Sequence, residues 1–252
     1  MSERALRVKI CELARVLYER GHNAPGDGNL SARLSERYLL CTPSAVHKGQ
    51  LRPDQVVKLA ASDGRVVDDR QRASSELKMH LALFAARPDV HAIIHAHSPN
   101  TVALTVAGVS MEEPVVPEVI LALGGVPTVP YASPTTSDVP EAVLSYAAHH
   151  DAFILERHGT VALAADLDTA FMHVEVVEHT AKITVAALSA GGASPLDEAE
   201  RQKLARMGDE ARVALARRPT APTNAGSGFA VRALPTSTTT SRPRAARPRV
   251  RR

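Results

Sequence analysis

Two turns early in the chain decide what kind of sheet it can build. Ser35-Glu36 separates the apolar run Asn29 to Leu34 from Arg37 to Thr42, and Asp63-Gly64 separates Val56 to Ala61 from Arg65 to Asp68. Asp-Gly between two such runs is a strong hairpin signal, because a two-residue turn needs left-handed backbone that few other pairs tolerate. Hairpins join antiparallel neighbours, whereas parallel neighbours need a long crossover. A simple doubly wound parallel sheet is therefore not expected.

The rest of the chain supplies helices to cover that sheet. Leu6, Ile10, Leu13 and Leu17 recur at helical spacing, and Gly21 ends the segment. A second helix is expected over Ser75 to Ala86, stopping before Arg87-Pro88 because the residue before proline is pushed out of helical geometry. Beyond it, Val90 to His97 reads as a strand, Val126 to Tyr131 as another, and Asp138 to His149 as a helix with Pro140 in its first turn. Ala152 to Leu155 is a short strand leading to His158, and helices are expected over Asp168 to Ser189 and Leu196 to Arg217. The fold class this implies is α/β, three layers with a central mixed, largely antiparallel sheet between helices. At 252 residues and 44% apolar the chain can bury a sizeable core, but with 3% aromatics that core must rest on Ala, Val and Leu.

Charge divides the chain in two. Residues 219–252 hold seven arginines and no acidic residue, so removing them from the overall +3 leaves the first 218 residues at −4. That tail is rich in Pro, Ser and Thr and has no apolar pattern, so it is expected to be a disordered appendage to a domain spanning 1–218. Weak contact with nucleic acid is the most its arginines imply, since Phe229 is its only aromatic. No run is long and apolar enough for a membrane span, and Met1 to Ala14 carries charges throughout, unlike a secretory signal. A cytoplasmic protein is expected, with Cys11 and Cys41 as buried thiols.

The chemistry-bearing residues are His95-Ala96-His97, His158 about sixty residues later, and Glu76 in Ser74-Ser75-Glu76. On a strand, the period of two turns 95 and 97 to the same side, where two imidazoles can grip one ion. A third imidazole would complete a zinc site with an open position. Glu76 also suits the first turn of a helix, where a carboxylate complements the dipole. His91 shares the parity of the pair but lies further along the strand, and is read as structural. Gly26-Asp27-Gly28-Asn29 follows a helix and precedes a strand, the reverse of a dinucleotide-binding turn. A glycine loop can still cradle phosphate through backbone amides, and Thr42-Pro43-Ser44 and Ser74-Ser75 add hydroxyls and exposed amides.

Taken in order, Gly28-Asn29-Leu30-Ser31, Thr42-Pro43-Ser44, Ser74-Ser75-Glu76, His95-Ala96-His97 and His158-Gly159 resemble the class II aldolase/adducin family over roughly Leu6 to Gly192. The resemblance implies that His95, His97 and His158 ligate zinc, with Mn2+ or Co2+ as alternatives, and that Glu76 is the acid/base. It implies that Gly28, Asn29, Thr42, Ser44, Ser74 and Ser75 surround a substrate phosphate, and that the protein is a homotetramer with sites at subunit interfaces. The expected activity is a zinc-dependent lyase, an aldolase cleaving or forming a C–C bond in a phosphorylated ketose or related sugar acid through a metal-stabilised enediolate. Dehydratase and decarboxylase chemistry on a sugar phosphate or sugar-acid phosphate is the alternative. Adducin-like interaction modules share the fold but lack the histidines, and the epimerase branch usually has Asp at the position of Glu76. Two departures stand out: Ala45 replaces the usual glycine, and Glu118, read as a second catalytic group near the site of an adjacent subunit, replaces the tyrosine of aldolases. His47-Lys48, in the same loop as Ala45, could add positive charge for an acidic substrate, although an exposed loop pair is the simpler expectation.

Overall fold

The computed structural model describes residues 1–67, 71–133 and 138–216. Helix α1 (Glu3–Glu19) starts at Ser2, whose hydroxyl accepts the Ala5 N–H at 3.3 Å, and buries Leu6, Ile10, Leu13 and Leu17. It ends where Gly21 takes a φ of 77°. Strands β1 (Asn29–Arg33), β2 (Tyr38–Cys41) and β3 (Val57–Ala60) follow, each antiparallel to the next. Then come α2 (Leu77–Ala86), β4 (Ala92–Ala96), α3 (Pro99–Val106) and α4 (Pro117–Leu123). The order is completed by β5 (Thr128–Val129), α5 (Asp138–Ala147), β6 (Ala152–Leu155), β7 (Gly159–Ala164), α6 (Leu167–Ser189) and α7 (Glu198–Ala216).

The sheet runs β3-β2-β1-β4-β7-β6-β5, and only the β5–β6 pair is parallel. Strand parity sorts its side chains. Leu30, Ala32, Ile94 and Ala162 pack with Ile10 and Leu17 of α1 and Val174 of α6. Leu39, Ile93, Val161 and Leu163 face Met79, Leu83 and Phe84 of α2 and Val143 of α5. A third cluster joins Val119, Ile120 and Leu123 of α4 to Val177 of α6 and Leu204 of α7. The three-layer architecture with a mixed, largely antiparallel sheet is thus the fold class expected from the sequence. Among the described residues no helix is long and apolar enough to cross a membrane, and Cys11 and Cys41 are buried free thiols.

Several local expectations needed correction. The second hairpin shrinks to a single bridge between Leu59 and Val66, and Asp68 lies outside the described residues. The strand expected over Val126 to Tyr131 has two residues. Strand β7 was not anticipated: all six of its residues are buried, so it lacks the alternation that marks a half-exposed strand. Helix α3 was not anticipated either: Pro99, just past the His95 strand, looks like a breaker but occupies the helix's first turn, where proline's missing N–H costs nothing. The tail 219–252 lies outside the described residues.

One close approach positions the chemistry. Strand β6 turns into β7 through Glu156, Arg157 and His158, with Arg157 in left-handed backbone at φ 59°. The His158 N–H donates to the Leu155 carbonyl at 3.0 Å, and Gly159 then passes so near β4 that a Cβ would stand 2.3 Å from the Ala96 carbonyl oxygen. Only glycine fits. Gly159→Ala should force β7 away from β4 and lower unfolding free energy by about 1–3 kcal/mol, measured by urea denaturation; an unchanged midpoint would show that the strands can part without cost.

Candidate metal centre

His95 sits in the middle of the sheet, opposite Asn29 of β1 on one side and Val161 of β7 on the other. It is fully buried on the α2 face. Its Nδ1 lies 2.9 Å from the Thr160 carbonyl oxygen. A carbonyl can only accept, so Nδ1 carries the proton and Nε2 keeps a free lone pair. His97 lies just past the strand end, where its backbone N–H donates to Asn23 Oδ1 at 2.8 Å. Its Nε2 approaches His95 Nε2 to 3.0 Å. His158 arrives on the β6–β7 turn, and the three imidazoles form a near-equilateral triangle with centroid separations of 4.8, 4.7 and 4.7 Å.

Glu76 closes the group from the start of α2. The Ser74 hydroxyl accepts the Glu76 N–H at 3.3 Å. The carboxylate reaches His158 Nε2 at 3.1 Å with one oxygen and His95 Nε2 at 3.4 Å with the other. Asn29 Nδ2 donates to that second oxygen at 2.7 Å. One potential ligand atom from each of Glu76, His95, His97 and His158 lies within 4.8 Å of all the others. Beneath them, Ser31 Oγ and His80 Nδ1 are 2.6 Å apart in the sheet–α2 interface.

The electrostatics favour a cation. Burial lowers the pKa of His95 to about 4, and burial together with its imidazole neighbours lowers that of His97 to about 3. Both rings are neutral near pH 7 and offer lone pairs. Burial opposes ionisation of Glu76, but the imidazoles of His95, His158 and His97 outweigh it and hold the carboxyl well below its usual range. Three nitrogen donors and one carboxylate around a common point, with His95 locked in the ligating tautomer, fit a divalent metal.

The other residues singled out from the sequence divide into those beside this cluster and those away from it. Gly28, at φ 65°, precedes Asn29, and a Cβ there would fall 2.5 Å from the Asn23 amide. Thr42 is fully buried, its Oγ1 accepting the Leu30 N–H at 3.2 Å. The Ser44 N–H donates to the Arg72 carbonyl at 2.9 Å, and Pro43 bridges to Ala73, so the 42–44 segment runs beside the irregular segment that leads to Ser74 and exposed Ser75. Ala45 takes a φ of 54°, the left-handed geometry that glycine adopts more readily. His91 is exposed. Glu118 is not part of the four-residue group. It is exposed in the first turn of α4, where it complements the helix dipole. Lys48, expected in an exposed loop pair, is instead buried at 2% exposure. The sequence reading missed Asn23 and the Thr160 carbonyl; the only signal for either was proximity to Gly26-Asp27-Gly28 and to His158.

With this geometry established, the relatives are informative. The Class II Aldolase and Adducin N-terminal domain matches residues 8–185. The chain belongs to the class II aldolase/adducin family. It is similar to the 3-oxo-tetronate 4-phosphate decarboxylase of Cupriavidus necator, 34% identical over 186 residues that cover 72% of this chain and 84% of that protein. The 5-deoxy-D-ribulose 1-phosphate aldolase of Bacillus thuringiensis is 31% identical over 202 residues, 79% of this chain and 93% of that one. Among solved structures, YgbL from Escherichia coli superposes with a TM-score of 0.74 at 31% identity, covering 81% of this chain and 99% of its own.

His97 is the ligand candidate least involved in packing, so its loss isolates metal affinity from folding. His97→Ala should lower divalent-metal content after dialysis by at least about tenfold, given the stakes of removing one of three imidazoles, while the melting curve stays cooperative. Wild-type metal content in that variant, read by plasma mass spectrometry, would show that the ion sits elsewhere.

Proposed function

We propose that the chain is a metal-dependent carbon–carbon lyase that removes CO2 from a phosphorylated 3-oxo sugar acid, of the kind for which its Cupriavidus necator relative is named. The observation that carries this reading is one half-buried carboxylate, Glu76, held among three imidazoles within 4.8 Å. Zinc suits the nitrogen-rich donor set of His95, His97 and His158, with Mn2+ or Co2+ as substitutes. Such an ion, when bound, supplies the positive charge that stabilises the negative charge left on the substrate's oxygens as the C–C bond breaks.

The chain's own residues then have a small task. In decarboxylation the departing group is CO2, which needs no proton removed, so one residue suffices to deliver one proton to the carbon left behind. Glu76 fits that role: Asn29 Nδ2 holds Oε2 at 2.7 Å, leaving Oε1 beside His158 to relay a solvent proton. Gly28, Asn29, Thr42, Ser44, Ser74 and Ser75 are assigned to the phosphate, supported by the side-by-side course of the 42–44 and 72–75 segments next to Asn29. Thr42 serves there through its strand contact with Leu30.

An aldol cleavage of a phosphorylated ketose is the second reading, favoured by the 31% identity to the Bacillus thuringiensis aldolase. A retro-aldol step requires a proton to leave the departing hydroxyl as well as one to reach the carbon, and so calls for a second acid/base. Glu118 is that candidate. Its exposure on α4, outside its own chain's cluster, supports a role at the site of a neighbouring subunit, as the homotetramer reading requires.

Metal-loaded protein given 3-oxo-tetronate 4-phosphate should release CO2; aldehyde from ketose 1-phosphates with no CO2 from the acid would select the aldolase instead. Glu76→Gln should retain the metal and lose about two to four orders of magnitude in turnover, and unchanged turnover would reduce Glu76 to complementing the helix dipole. Glu118→Gln should change turnover or product ratio more than melting temperature. A large drop in melting temperature with undiminished activity per folded molecule would make Glu118 structural.

A further inference from the structure

Lys48 lies where the two loops beside the metal cluster meet, and its burial is unusual for a lysine. It is fixed from several sides. Its backbone N–H donates to the Pro25 carbonyl at 2.8 Å. The next residue, Gly49, has no room for a side chain, since a Cβ would stand 2.4 Å from the Tyr18 ring. Tyr18 also meets the ring of His47 edge-on at 4.7 Å between centroids. Held in this way, the lysine folds inward and donates through Nζ to the carbonyls of Gly26 at 3.2 Å and Val46 at 3.1 Å.

An ammonium has three N–H donors and these contacts use two of them. Among the described residues no carboxylate forms an ion pair with Nζ, although the carboxylates of Asp27 and Glu76 are near enough to favour its charged form. Burial pushes the other way and lowers its pKa. A buried ammonium without an ion-pair partner is costly, and a hydrophobic side chain would fill the same space at less cost. Its position is informative. One carbonyl it holds belongs to Gly26, two residues before Gly28, and the other to Val46, two residues after Ser44. Lys48 therefore ties together the two loops assigned above to the phosphate and places an unpaired positive charge behind them. Ala45, at φ 54°, lies in the same loop at the position where a glycine would let the backbone come closer.

We propose that Lys48 is a specificity-determining positioning residue, which sets this site to accept a doubly charged phosphate ester by clamping the Gly26–Gly28 and Ser44–Val46 loops and supplying the positive charge beneath them. The proposal rests on the sugar-phosphate reading above and adds to it a residue acting through loop geometry and field. At the dielectric typical of partly buried sites, a unit charge one loop away from a dianion changes its affinity by about 10- to 100-fold.

The test is calorimetric titration of inorganic phosphate into metal-loaded wild type, Lys48→Met and Lys48→Gln, with metal content measured on the same samples. Methionine matches the length of the lysine stem without charge, and glutamine keeps a donor for the two carbonyls without charge. Lys48→Met is expected to bind phosphate about 10- to 100-fold more weakly with wild-type metal content, Lys48→Gln to follow it, and KM for a sugar-acid phosphate to rise in parallel while kcat changes little. Phosphate affinity equal to wild type in either variant overturns the proposal and leaves the sugar-phosphate reading standing. If Lys48→Met does not fold, Lys48→Gln alone decides. Failure of the wild type itself to bind phosphate overturns the sugar-phosphate reading, and the role of Lys48 with it.

Discussion

The structure depends on the central position of β4 between β1 and β7. Antiparallel pairing on both sides buries His95 completely, sets Asn29 directly across from it, and brings the start of β7 so close that Gly159 alone fits against Ala96. His158 is delivered by that same pairing, because it is the last residue of the turn that opens β7. Glu76 is delivered by the packing of α2 on the same sheet face, through Met79, Leu83 and Phe84. Four residues spread over more than eighty positions meet because one strand is flanked by the right neighbours.

Burial is what gives the cluster its chemistry. In water three histidines and a glutamate would be partly protonated and solvated; here desolvation keeps His95 and His97 neutral, and the surrounding polar groups hold Glu76 as a carboxylate. A set of neutral imidazoles around a fixed anion is poorly stabilised without a cation and well matched to one. The supporting contacts serve orientation: Thr160 sets the His95 tautomer, Asn23 anchors the backbone of His97, and Asn29 fixes one oxygen of Glu76. Thr160 and Asn29 lie in β7 and β1, and Asn23 in the loop that leads into β1, so the sheet keeps the ligand atoms in register.

Much of this was legible in the sequence. The antiparallel pairing of β1 with β2 followed from Ser35-Glu36, α1 and α6 from helical spacing, and the convergence of His95 with His97 from the period of a strand. What stayed hidden has physical causes. Strand β7 is buried on both faces and shows no alternation, so its pairing with β4, and hence the way His158 is delivered, could not be read from periodicity. The burial of Lys48 and the exposure of Glu118 were not legible either, since charge alone suggests exposure for the first and only the tyrosine it replaces drew notice to the second. Tertiary packing decided both: Tyr18 and the Gly26 carbonyl draw Lys48 inward, and α4 turns its apolar side to α6 and α7 while leaving Glu118 outside.

The central claim is that these four residues form one metal site. Anomalous diffraction from crystals of the protein grown with zinc tests it most directly. The account predicts an anomalous peak at about 2.0–2.1 Å from a ring nitrogen of each of His95, His97 and His158, with Glu76 alongside. A peak bound to other residues, or none at this cluster while zinc binds in solution, would contradict it.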